Sequence, residues 1–72
     1  MNEMATSLLE PRVRILRQEG RTVEAFEQQV SDWSNLIRGE VAGGSDNMKV
    51  TWLLDRQDEL ICIFEWCIWA QP

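Results

Sequence analysis

Apolar residues recur at Val23, Phe26, Val30, Trp33 and Ile37, in steps of three and four. That spacing lines one face of an α-helix. Glu27, Gln28, Ser31, Asp32, Ser34 and Asn35 fill the remaining circumference. Thr22 is a good N-cap and Glu24 sits where the helix dipole favours an anion. Arg38 suits the last turn, and Gly39 suits the left-handed residue that ends many helices. The pattern predicts a helix over 23–38, about 24 Å long at ~1.5 Å per residue.

Elsewhere the rhythm is two. Met48, Val50, Trp52 and Leu54 alternate with Lys49, Thr51, Leu53 and Asp55, which predicts a strand over 48–54. Asp55-Arg56-Gln57-Asp58-Glu59 is polar throughout and suits a hairpin loop. Residues 60–69, Leu-Ile-Cys-Ile-Phe-Glu-Trp-Cys-Ile-Trp, are almost wholly apolar and rich in β-branched and aromatic side chains, as a central strand is. One continuous helix over 50–70 is the rival. It would be apolar all round over 60–69 and polar all round over 55–59, so the hairpin is preferred. Arg12-Val13-Arg14-Ile15 also alternates, predicting a strand over 12–17 that ends at a loop broken by Gly20.

The first 11 residues read as a tail. Ser7-Leu8-Leu9-Glu10 fits a capping box, but Pro11 disfavours helix at Glu10, so at most a helical turn is expected. Residues 12–72 form the one domain. The glycine-rich stretch 39–47 is expected to be its most mobile part.

The element order, strand-helix-strand-strand, predicts a small α+β domain of β-α-β-β type. The helix returns the chain, so the first two strands run the same way and the third opposes both. With the most apolar strand in the middle, the sheet is three-stranded and antiparallel, in order 1-3-2, with the helix packed on one face. Val13, Ile15, Val50, Trp52, Leu60, Cys62, Phe64, Trp66 and Ile68 are expected to face the helix.

The other face has no second helix to cover it. It would carry Leu16, Leu53, Ile61, Ile63, Cys67 and Trp69, bordered by Arg12, Arg14, Lys49, Thr51 and Glu65. An apolar centre with a polar rim is the composition of an interface. Burying such side chains at ~1.5–3 kcal/mol each would rival the stability of the whole domain. A second copy, a different protein or the amino-terminal tail (Met4, Leu8, Leu9) are the three candidate covers. Trp69 is the favoured anchor, with Trp33, Trp52 and Trp66 read as core. The outer strands also leave edges. Arginines guard the first, whereas only Lys49 and Asp55 guard 48–54, where a partner strand could add.

Composition removes most chemistry. The chain has 72 residues, no histidine, and a net charge of −5 from 7 basic and 12 acidic residues. Clustered cations are what non-specific nucleic-acid binding needs, so no nucleic-acid partner is expected, although Arg12, Arg14, Arg17 and Arg21 crowd one short stretch. No wholly apolar run, Leu60 to Phe64 included, is long enough to span a membrane. Cys62 and Cys67 point to opposite faces of a strand and cannot readily bridge, and no secretion signal opens the chain, so a reducing, cytoplasmic setting is expected. Two cysteines without histidine cannot complete a four-ligand zinc site, so no metal or other cofactor is expected. The lack of an imidazole removes the usual general base. Glu65, the one carboxylate in the apolar strand, is read as the cross-strand partner of Arg12, Arg14 or Lys49. Gly43-Gly44-Ser45 lacks the lysine and the strand-then-helix setting of a phosphate loop. The layout resembles small tautomerase-like subunits, whose chemistry uses a free amino-terminal proline. Here Met1 comes first and Pro11 is interior, so that activity is not carried over.

The expectation is therefore a non-enzymatic protein-binding module, a regulator, adaptor or inhibitor, that dimerises through its uncovered sheet face. The alternative is a small enzyme or ligand-binding subunit whose site forms between copies, using Glu65, the arginines or the cysteines.

Overall fold

The computed structural model describes residues 8–70. Met4 and Ser7, named above for the tail and the capping box, lie outside them. The elements are β1 (Leu9–Arg17), α1 (Val23–Arg38), a single 3-10 turn (Ser45–Asn47), β2 (Lys49–Leu54) and β3 (Leu60–Trp69). The sheet is antiparallel in order β1-β3-β2. Fold class, strand order and the single covering helix are those the sequence predicts.

The helix has the bounds its sequence pattern predicts, although Val23 of the apolar stripe is exposed. Thr22 has extended backbone and its hydroxyl accepts from the Ala25 N–H at 3.1 Å. Phe26, Val30 and Ile37 of the stripe are buried. Its end differs from expectation. Gly39 keeps right-handed values (φ −70°), and the Glu40 N–H donates to the Ile37 carbonyl at 2.9 Å. A tightened last turn thus occupies the Ile37 carbonyl without a left-handed residue. The left-handed glycines come later, at Gly43 (φ 79°) and Gly44 (φ 107°).

Two further expectations are corrected. The first strand begins at Leu9, not at residue 12, and runs straight through Pro11. Leu9 pairs with Trp69 and Glu10 with Ile68, so these residues are sheet and not a helical turn. Proline is tolerated because β1 is an edge strand and Pro11 has no N–H to spend on the ladder. Second, the stretch 39–47 is anchored. Val41 and Ala42 are buried, and the Ala42 N–H donates to the Cys67 carbonyl at 2.8 Å. The Asn47 Nδ2 donates back to the Ala42 carbonyl, and a Cβ on Gly43 would sit 2.6 Å from that nitrogen.

The phase of β1 is opposite to the expected one. Leu16 pairs with Cys62 and is buried on the helix side at 7 % exposure, whereas Val13 (59 %) and Ile15 (49 %) are exposed on the open side. The core gathers Leu16, Phe26, Val30, Ile37, Val41, Cys62, Phe64 and Trp66, with Trp33, Met48, Leu60 and Ile68 packed against it. Trp52 is not core. It stays 45 % exposed and meets the Phe26 ring edge-on at 6.1 Å.

Candidate interaction surface

Strand alternation and the observed register define the uncovered face. From β1 it takes Leu9, Pro11, Val13, Ile15 and Arg17. From β3 it takes Ile61, Ile63, Glu65, Cys67 and Trp69, and from β2 it takes Lys49, Thr51 and Leu53. Leu9, Val13, Ile15, Leu53 and Trp69 are all exposed, and Ile61, Ile63 and Cys67 are half-buried. The aliphatic side chains run across all three strands as Val13 and Ile15, Ile61 and Ile63, then Leu53. Arg17, Lys49 and Glu65 border them, all exposed. A shallow depression of about 380 Å³ lies toward the Leu9 end of this face, lined by Leu9, Pro11, Val13, Glu65 and Cys67 among others.

Of the residues singled out from sequence, Leu53, Ile61, Ile63, Glu65, Cys67 and Trp69 come together here. Arg12 and Arg14 do not. They follow Leu16 onto the helix side, where β1's position at the edge lets long side chains reach water over the rim. The Arg14 guanidinium stacks on the Trp33 ring, 4.1 Å from its centroid. Arg12 pairs with Glu10 at 3.3 Å. Neither therefore joins Glu65, whose register partners are Val13 on β1 and Lys49 on β2. The open face is consequently more apolar than the sequence suggested, because valine and isoleucine stand where arginines were expected. Val13 and Ile15 are the surface residues that sequence reasoning missed. The signal was Leu16, which follows Ile15 directly and makes either phase of this strand apolar.

Both thiols are free. Cys62 is buried on the helix side, and burial pushes its thiol pKa up, so it stays protonated and unreactive. Cys67 lies on the open side, half-buried. Trp66 is buried and its indole Nε1 has no hydrogen-bond partner among the described residues. Among those residues, no cluster of three or more metal-ligating side chains is present, and no helix is long and apolar enough to cross a membrane.

No family model, curated protein or solved structure matches the chain.

Proposed function

We propose that the chain is a protein-binding module whose open sheet face packs on another protein molecule, a second copy being the occupant that best fits. The observation that carries this is the row Val13, Ile15, Ile61, Ile63 and Leu53, exposed or half-buried among the described residues, with Trp69 exposed on the same face at its Leu9 end. Exposed apolar side chains that adjoin across a sheet face and are rimmed by polar residues often mark contact sites. A face of aliphatic side chains on a twisted sheet is matched in shape and chemistry by the same face of another copy, the arrangement of stacked sheets ~10 Å apart. The rim carries both signs, Arg17 and Lys49 against Glu65, so a second copy is not repelled by charge. Such a surface supports the work of a regulator, adaptor or inhibitor, for which contact itself is the activity.

The test is assembly state. Sedimentation at micromolar concentration should show an oligomer, and Ile63→Lys or Trp69→Lys should lower its order while leaving circular dichroism unchanged. A chain whose assembly state and solubility are the same with and without Ile63→Lys would overturn the reading.

A further inference from the structure

The two outer edges of the sheet are not equivalent. In an antiparallel pair each strand turns the N–H and C=O of alternate residues toward its neighbour. The Asp55 N–H donates to the Glu59 carbonyl at 2.9 Å, so the odd residues of β2 face β3. Val50, Trp52 and Leu54 therefore turn their N–H and C=O groups outward, away from the sheet. On β1 the Gln18 N–H donates to the Leu60 carbonyl, so its outward positions are the odd ones, and Pro11 occupies one of them. The β1 edge thus lacks a donor at Pro11 and ends at Arg17. The β2 edge keeps every donor and has no charged residue from Val50 to Leu54.

The side chains along that edge are apolar on both faces. Val50, Trp52 and Leu54 line the helix side and are all exposed, Leu54 at 63 %. Leu53 is exposed on the open side. Long, uncharged, apolar edges invite pairing with another strand.

We propose that β2 pairs antiparallel with β2 of a second copy, centred on Trp52, to give a continuous six-stranded sheet. The register follows from the sequence. With Trp52 opposite itself, Val50 lies opposite Leu54 of the second copy, and Thr51 lies opposite its Leu53. Lys49 then falls opposite Asp55 of the second copy, and the two-fold axis repeats this opposite-charge pair at the other end. Paired residues share a face, so the exposed helix-side rows close on each other. Centring on Thr51 instead would set Lys49 against Leu53 and lose both charge pairs. The helices also fit. The core residues under α1 belong chiefly to β3, and two copies of β3 would lie three strand spacings apart, about 14 Å, which leaves room for both helices with the tryptophans between them.

This assembly is independent of the open-face reading and would set two open faces side by side as one platform. The experiment separates the two. Leu54 is exposed, so Leu54→Lys leaves the fold intact and sets an unpaired charge against Val50 of the other copy at each end of the edge. It is expected to weaken edge association roughly tenfold or more in Kd by sedimentation, whereas Ile63→Lys leaves that association in place. Register is read by disulfide trapping in a Cys67→Ser background. Thr51 opposite Leu53 is a non-hydrogen-bonded pair with Cα atoms about 4.5 Å apart, within reach of a disulfide. Mixed Thr51→Cys and Leu53→Cys chains should therefore cross-link as heterodimers, while Thr51→Cys alone should not. A wild-type chain that stays monomeric at high micromolar concentration overturns self-pairing and leaves the edge to a foreign strand. So does association lost with Ile63→Lys and retained with Leu54→Lys. Cross-links from Thr51→Cys alone overturn the Trp52 register.

Discussion

Neighbouring residues on β3 differ in environment more than in chemistry. Cys62, Phe64 and Trp66 are buried beneath the helix, while Ile61, Ile63 and Cys67 are half-buried and Trp69 is exposed on the other side. Both sets are apolar. What separates them is a helix that arrives on one side only. Burial in a domain this small is thus set by supply of covering elements, since a short chain has little surface to spend on a second layer. Among the described residues, the set away from the helix is nearly as apolar as the core and has no second element packed on it.

The sharpest break in this comparison is expected at adjacent positions. Phe64→Ala should cost about 3–5 kcal/mol and leave much of the chain unfolded, because few domains of this size have more than that to lose. Ile63→Ala, one residue away, should cost about 1 kcal/mol in dilute solution. Urea titrations of the two variants measure the gap, and equal losses would mean that both faces are covered in the monomer.

Next in size is the phase of β1. Leu16→Ala should cost about 2–4 kcal/mol and Val13→Ala well under about 1 kcal/mol. The reverse order would return β1 to the phase that alternation alone suggests. Removing the cap that starts the covering helix is a milder lesion. Thr22→Ala should cost about 1 kcal/mol by thermal melting, and Thr22→Asp should restore most of it.

The smallest effect concerns the cysteines, one on each side of β3. A thiol reagent should modify Cys67 readily and Cys62 only as the chain unfolds. Because burial raises the folded-state pKa of Cys62, the unfolded chain ionises first as pH rises. Stability from this group is therefore present below the ordinary thiol pKa of about 8.5 and declines above it. A Cys62→Ala variant should show a flatter decline at alkaline pH.

How much of this was legible follows from where the signals were redundant. For α1, stripe, cap and breaker agreed, and the helix spans Val23–Arg38 as read. For β3, near-continuous apolarity could be satisfied only at the centre of the sheet. At β1 the signal was split. Its arginines and aliphatics alternate, yet Leu16 fits the opposite phase, and register against Cys62 decided between them. Stacking on Trp33 then gave Arg14 a place beside the core that no period could reveal. Val41 and Ala42 sit among glycines, and the contact that places them there, the Ala42 N–H donating to the Cys67 carbonyl, is distant in sequence. For the surface, the β3 and β2 members were readable because the hairpin fixed their phase. The β1 members were not, because an edge strand tolerates either assignment.

The spatial order β1-β3-β2 carries a consequence for how the chain comes together. Among the described residues of one chain, each outer strand pairs with β3, the last of the three to leave the ribosome. Until then β1 is an unpaired ribbon, and its ladder must close across the whole helix and β2 hairpin. Contacts so distant along the chain slow folding. The helix, whose contacts are local, can form while synthesis continues, but the sheet beneath it waits for the final strand.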